Sequence, residues 1–387
     1  MMKILVIHNN YQNVGGEDIA VKNEVSFLKK FFEVETLYFH NNNKNLIYNF
    51  FSLVIGSNFL SNRKVKKVLD DFNPDMVYVH NTWFKAGLGL FKILEKRNIK
   101  TVVKLHNFRY FCTKNLFSSN HFGNNKICQA CGLNRDSQGI LNKYFQESFI
   151  KSLVMINYGK KYFKILYNGK NKIFVLTKFH KTFLEDLGID SDKISVFPNN
   201  LNFDIQNNES ISSNSNYIVY AGRVSDEKGV QELIQSFLEA NISDLKLKIV
   251  GNGPSYIELT KNYRHYSSKI EFLGELPNSN VIELILNSKA VVTATKLYEG
   301  QPTLLCEASS LGIPSIFPNT GGINEFFPKG YNLSFEQYDY EGLKTKLMMI
   351  RDTNQLTEIG IKNKNFLNLL LDNEKMASTF NKLYEQY

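Results

Sequence analysis

The stretch Tyr298-Glu299-Gly300-Gln301-Pro302-Thr303-Leu304-Leu305-Cys306-Glu307 decides how this chain is read. Two carboxylates stand eight positions apart, with Gly-Gln-Pro directly after the first. The preceding run, Ala290 to Thr295, reads as a buried strand. The run after Pro302 reads as a helix, because Pro is well tolerated in a first helical turn, which has no use for the N–H it lacks. Glu299 then falls on a strand-to-helix turn, and Glu307 one to two turns into the helix. Between them lies a helix N-terminus, with unbonded N–H groups and the positive end of the helix dipole, suited to a phosphate. Each carboxylate can accept hydrogen bonds from sugar hydroxyls on one side of that phosphate. This is the arrangement a nucleotide-sugar asks for.

Outward from this stretch the chain alternates strands and helices. Strands are expected at Tyr217–Ala221, Lys246–Val250, Ile270–Leu273, Ala290–Ala294 and Ser315–Phe317, with helices at Lys228–Ala240 and Ser279–Asn287. The polar, low-complexity run 205–216 reads as a linker. Before it the same rhythm runs through Lys3–His8, a helix from about Asp18 to Lys30, Val34–Phe39, Asp75–His80, Lys100–Leu105 and Lys172–Leu176. Alternation of this kind predicts parallel, doubly wound sheets. With 387 residues, two domains are the default. The expected fold is α/β, two Rossmann-like halves with a cleft between them and ligands at the carboxyl ends of the strands.

Several motifs follow those strands. In Gly222-Arg223-Val224 with Glu227-Lys228-Gly229, Gly222 permits a tight turn, and Arg223 and Lys228 can converge on a diphosphate, Arg as a fork and Lys as a point charge. The alternative is a solvated, charged turn, which the phosphate reading only slightly outweighs alone; beside the Glu299 segment it gains weight. Gly251-Asn252-Gly253 and the turn at Gly274 suit a backbone closing on a ribose or base, or are ordinary turns. Gly15 and Gly16 precede a helix and can expose N–H groups. His106 ends a strand, with Arg109 close behind. Thr320-Gly321-Gly322 is a further glycine turn, or a surface loop. Cys128-Gln129-Ala130-Cys131, with Cys112 and His121, has a spacing that suits zinc or, equally, a reduced metal-free loop.

Charge is uneven. Residues 1–200 hold 29 Lys/Arg against 15 Asp/Glu, and residues 201–387 hold 17 against 22. A basic first half points to an anionic partner. No zinc-finger spacing or RNA-binding signature is present, so nucleic acid is not expected. Basic residues are interleaved with large apolar ones in two stretches, 45–55 leading to Arg63-Lys64-Val65-Lys66-Lys67, and Lys143 to Lys164. Both fit an anionic membrane interface, or core helices with solvated edges. No apolar run reaches spanning length, and the start reads as a strand rather than a signal peptide, so a cytoplasmic location is expected.

Taken together, these motifs resemble glycosyltransferase family 4, retaining enzymes of the two-Rossmann GT-B type, over nearly the whole length. The Glu299–Glu307 pair and the Gly222–Gly229 loop carry the likeness. The His106-Asn107-Phe108-Arg109 run with the later cysteines is similar to polysaccharide-assembly members, although many relatives have Asp-Tyr after the histidine. The resemblance implies metal-independent transfer of a sugar from a UDP- or GDP-sugar to a lipid-linked or saccharide acceptor, with no cofactor required. It implies an acceptor domain over 1–204, a donor domain over 217–372, and a helix at about 373–387 returning to the first domain. It also implies roles. Arg223 and Lys228 hold the leaving diphosphate, and Glu307 the ribose. Glu299, with N–H groups near Gly300, Gln301, Pro302, Thr303 and Leu304, holds the sugar. His106 contacts the transferred sugar, and Gly15 and Gly16 lie near donor and acceptor. Two other readings stay open: a nucleotide-sugar epimerase on the same fold, and a non-catalytic membrane- or polyanion-binding protein.

Overall fold

The computed structural model describes residues 1–11, 15–41, 46–113, 117, 145, 147–201, 216–351 and 353–385. The chain divides into two compact units, one of Met1–Asn202 with Asn373–Tyr387 and the other of Phe203–Asp372.

The first unit runs β1 (Lys3–Asn10), α1 (Gly16–Leu28), β2 (Glu33–His40), α2 (Leu46–Ile55), α3 (Phe59–Phe72), β3 (Met76–Val79), α4 (Gly89–Lys96), β4 (Lys100–Leu105), α5 (Phe149–Asn168), β5 (Lys172–Val175), α6 (Lys178–Asp186) and β6 (Ile194–Val196). Its strands form one parallel sheet in the order β2-β1-β3-β4-β5-β6. A parallel sheet covered on both faces buries whole strands, and Ile4 to Ile7 are fully buried. The sheet also encloses a charge: Lys104 Nζ donates to Glu24 at 2.8 and 2.7 Å, and Tyr78 Oη donates to the same carboxylate at 2.8 Å.

The second unit runs β7 (Tyr217–Ala221), α7 (Val230–Ala240), β8 (Lys246–Val250), α8 (Tyr256–Asn262), β9 (Ile270–Gly274), α9 (Asn278–Leu286), β10 (Val291–Val292), α10 (Thr303–Ser310), β11 (Ser315–Asn319), β12 (Ser334–Glu336), α11 (Tyr340–Met348) and α12 (Thr353–Leu370). Its sheet is parallel in the order β12-β11-β10-β7-β8-β9. Ile218, Leu233, Phe237, Leu247, Ile249, Val292 and Ile316 meet in its core.

The last helix, α13 (Asn373–Glu385), belongs to the first unit. Phe380 lies fully buried among the rings of Phe32, Tyr78, Phe174 and Phe197, with centroids 5.5 to 6.0 Å away. Asn200 donates to Asn373 Oδ1 at 2.6 Å.

Some expectations need correction. The ladder of β10 covers Val291–Val292 and not Ala290–Ala294, because after Thr293, whose N–H still reaches Ile316 O at 2.9 Å, the chain leaves the sheet. The helix expected from Lys228 starts at Val230; Asp226–Lys228 form a single 3-10 turn that Gly229 ends in the left-handed region. The helix expected after Pro302 does begin there, with Pro302 as the N-cap of α10. Strands β6 and β12, three residues each, were not anticipated. The reading of 205–216 as a linker lies outside the described residues, apart from Asn216.

Candidate functional site

The loops at the carboxyl ends of β7, β8 and β9 lie side by side and are bonded to one another. Gly222 N–H donates to Val250 O, Gly251 N–H to Gly274 O at 2.7 Å, and Val224 N–H to Asn252 O at 3.0 Å. The contact is so close that a Cβ on Gly251, whose φ is +123°, would stand 2.0 Å from Gly222 O. On Gly253 it would stand 2.3 Å from Val224 O. The glycines read as ligand-facing turns therefore hold the rim of the sheet together. Arg223 projects from this rim, exposed, and makes no ion pair among the described residues.

The next loop, at the end of β10, docks onto the first. Lys296 N–H donates to Glu227 O at 3.0 Å, and Lys296 Nζ bridges Asp226 at 2.8 Å and Glu232 at 2.7 Å. These carboxylates raise the Lys296 pKa to about 12 against the opposing effect of burial. The docking brings Lys228 Nζ onto Glu299 Oε1, which also accepts from Thr295 Oγ1 at 3.1 Å. A third loop braces Glu299 from behind. Gly322 N–H donates to Glu299 O at 2.8 Å, and a Cβ on Gly321, at φ +59°, would fall 2.3 Å from that same oxygen. The Thr320-Gly321-Gly322 turn is thus a backstop for Glu299.

Gly300 and the buried Gln301 lead to Pro302 and the first turn of α10, where Thr303 and Leu304 are half-buried. The first intrahelical bond runs from Cys306 N–H to Pro302 O, so the N–H groups of Thr303, Leu304 and Leu305 have no partner within the helix. Glu307 follows, 8% exposed, and burial pushes its pKa up to about 7. The second unit thus brings Lys228 against Glu299, with Arg223 on the loop after β7 and Glu307 on α10, which follows the loop after β10.

In the first unit the strand ends carry imidazoles. His106 follows β4, and its Nε2 lies 2.8 Å from Nδ1 of His80, which follows β3. Burial, with the charge of Lys104 contributing, holds both well below the ordinary histidine value, so both are neutral and a single proton bridges them. His8 on β1 pairs with Asp18 at 2.9 Å. Asp18 also accepts from Gly15 N–H at 2.8 Å, so that N–H is not available to a ligand as the sequence had suggested. Gly16 opens α1 with its Cα open to solvent. Glu17 accepts from Tyr11 Oη at 2.7 Å and from Asn107 Nδ2 at 3.0 Å. Burial brings its pKa to about 7, against those bonds and the charge of Arg109. Glu17, Asp18, His8 and His80 were missed in the sequence. Their signal was present: each lies on, or just beyond, a strand end or in the adjoining first helical turn, as His106 does.

Cys112 is buried, and Cys128, Cys131 and His121 lie outside the described residues. Among the described residues no group of three or more His, Cys, Asp or Glu is placed to hold a metal ion.

The family model for glycosyl transferases group 1 matches residues 202–365. The second unit is a group 1 glycosyltransferase domain. The whole chain superposes on solved GT-B structures: sucrose-phosphate synthase from Thermosynechococcus elongatus, TM-score 0.70, 14% identity, covering 100% of this chain and 99% of that one. Anabaena Alr3699/HepE in complex with UDP-glucose gives a TM-score of 0.66 at 16% identity over 100% of both chains. Among curated relatives, the UDP-Gal:alpha-D-GlcNAc-diphosphoundecaprenol alpha-1,3-galactosyltransferase of Escherichia coli is 26% identical over 53% of this chain and 56% of its own. The chain spans between 28% and 60% of the length of the curated relatives it matches. The group 1 domain ends near residue 365, so α13 and the imidazole-bearing first unit lie outside the matched segment.

Proposed function

We propose that this glycosyltransferase moves a hexose from a UDP- or GDP-sugar to a lipid-linked or saccharide acceptor in surface polysaccharide assembly, retaining the anomeric configuration without a metal. The observation that carries the reading is the contact of Lys228 with Glu299 just ahead of α10, the helix that carries Glu307, on the same loop as Arg223. As the glycosidic bond breaks, negative charge grows on the diphosphate. Fixed cations and helix N–H groups aimed there stabilise the transition state more than the ground state. Arg223, which makes no ion pair among the described residues, offers a fork. Lys228 is already oriented by Glu299 and can bond the diphosphate without releasing it. Glu307 accepts from the ribose and Glu299 from the sugar. His106, neutral through burial and bonded to His80, can accept from or donate to a sugar hydroxyl as its tautomer dictates.

With Glu307 assigned to the ribose and Glu299 to sugar hydroxyls, neither carboxylate is assigned as a covalent nucleophile, which favours attack on the same face within an ion pair. The diphosphoundecaprenol in the E. coli relative's name supports a lipid-linked acceptor, and the nucleotide-sugar bound by the Anabaena structure supports the donor class.

The test is transfer from UDP- and GDP-sugars, chosen first by thermal stabilisation, with Arg223→Ala and Lys228→Ala compared at equal folded concentration. Both variants are expected to lose transfer, the wild type to keep it in EDTA, and the product to carry the donor's anomeric configuration. Full activity in both variants removes the proposal. Product formed without any acceptor points instead to an epimerase.

A further inference from the structure

Two neutral imidazoles in the first unit share one hydrogen bond, and the side from which its proton comes decides what His106 can do. His80 follows β3 and His106 follows β4, neighbouring parallel strands in which Val79 pairs with Val103. Both rings therefore leave the sheet at its carboxyl edge. They stack with centroids 5.2 Å apart and planes 25° from parallel. His80 Nδ1 and His106 Nε2 meet at 2.8 Å, so one of the two nitrogens is the donor and the other the acceptor. Either His80 donates from Nδ1 and His106 carries its own proton on Nδ1, or His106 donates from Nε2 and His80 carries its own on Nε2.

The two outer nitrogens of the pair differ in surroundings. His80 Nε2 is buried and has no hydrogen-bond partner among the described residues. The ring of His8 stands edge-on to His80 with its centroid 6.3 Å away, and no hydrogen bond joins them. His8 donates from Nε2 to Asp18 at 2.9 Å, which leaves its Nδ1 a bare lone pair, buried as well. His106 Nδ1 also lacks a partner among the described residues, but it is not sealed in: His106 is half-buried, and that atom is open to water or a ligand. The second arrangement would strand an N–H in the interior, a group that folded proteins almost never leave without an acceptor. The first strands only a lone pair. The charge of the buried Lys104, which acts on both rings, adds to the preference by favouring the negative end of the bonded pair toward the interior.

We propose that His80 is a positioning residue: it donates from Nδ1 to His106 Nε2 and so fixes His106 with its proton on Nδ1, as a hydrogen-bond donor to the ligand. The partner of a histidine ring nitrogen sets what the other nitrogen can do. With its lone pair spent on His80, His106 cannot act as a base toward a sugar hydroxyl. The ligand atom it meets is one that accepts: a hydroxyl, carbonyl or anionic oxygen. The consequence for transfer rests on His106 facing the sugar, as in the proposed function; the tautomer does not.

The test reads the tautomer directly, by long-range nitrogen–proton NMR on the full chain isotope-labelled at its histidine ring nitrogens. The His106 signals are assigned by their loss in His106→Gln. Without any ligand, wild-type His106 is expected protonated on Nδ1 and bare on Nε2. In His80→Phe, which keeps a ring and removes both nitrogens, His106 is expected to lose that preference. In His80→Asn, whose amide N–H can stand in for Nδ1–H, it is expected to regain it. With the UDP- or GDP-sugar that the protein turns over, kcat should fall about tenfold or more in His80→Phe while KM for the donor stays within about twofold, and His80→Asn should recover most of the loss. A wild-type His106 protonated on Nε2 overturns the proposal whatever the activity. So does a tautomer that a folded His80→Phe leaves unchanged, or one that shifts while kcat keeps its wild-type value. If His80→Phe does not fold, the wild-type spectrum and His80→Asn decide. No transfer by a wild type that shows the expected tautomer counts against the proposed function and leaves the bond from His80 standing.

Discussion

Glu307→Gln should remove a pH dependence of stability that the wild-type fold imposes on itself. Burial carries the Glu307 pKa from 4.5 to about 7. A carboxyl whose pKa is raised by folding binds more protons in the native state than in the unfolded one between those two values. Stability therefore falls as pH rises through the window, and levels off above it. The interval of about 2.5 units, at about 1.4 kcal/mol per unit, sets an upper limit of about 3.5 kcal/mol between pH 4.5 and 7. For a unit of this size that is roughly 7 to 14 °C in thermal midpoint.

The assay is the midpoint of both proteins from pH 4.5 to 8. The informative quantity is how their difference changes with pH, because the amide does not titrate and any fixed packing penalty cancels. The variant should gain on the wild type across the window. A difference that stays constant from pH 4.5 to 8 refutes the claim that an ionisable carboxyl is confined there. A nucleotide whose ribose donates to the carboxylate favours the charged form. Its stabilising effect on the wild type should then grow with pH up to about 7 and stay flat in the variant.

Other outcomes follow from the same structure. Glu299→Gln should cut the transfer rate at least about tenfold. It should change stability by less than about 1 kcal/mol, since the ion pair with Lys228 is partly exposed, as midpoint and rate measured on one sample will show. Gly251→Ala drives a methyl group into Gly222 O and forces a side chain to φ +123°. It should cost about 2 kcal/mol or more in denaturant unfolding and weaken nucleotide binding. Glu24→Ala strands the Lys104 ammonium in the core and should cost about 3 to 5 kcal/mol, visible as insoluble protein, whereas Glu24→Leu with Lys104→Met restores folding.

The sequence made the sheets legible because parallel strands buried on both faces are written as unbroken apolar runs. Ile4 to Ile7 and Ile218 to Tyr220 show this directly. Strands β6 and β12 escaped because three residues give no periodicity and are held by their neighbours in the sheet rather than by their own pattern. Glu299 and Glu307 could be placed from proline and the helix that follows it. Their environment could not. That Lys228 closes onto Glu299, and that Gly321 supports it from behind, depends on two loops separated by 71 and 22 residues meeting in space. The resemblance to the GT-B glycosyltransferases agrees with the group 1 match and with the solved structures. The imidazole pair of His80 and His106 was half visible, since only one of the two stands beside a motif.

The first unit is interrupted in sequence by the whole of the second, and Phe380 is the piece delivered last. During synthesis the ring cluster of Phe32, Tyr78, Phe174 and Phe197 has an empty seat until α13 emerges. The second unit, continuous in the chain, has every residue it needs before then. The earlier-made sheet is thus the later one to be completed. A stop codon near residue 372 would leave the second unit intact in sequence and cost the first unit its last helix.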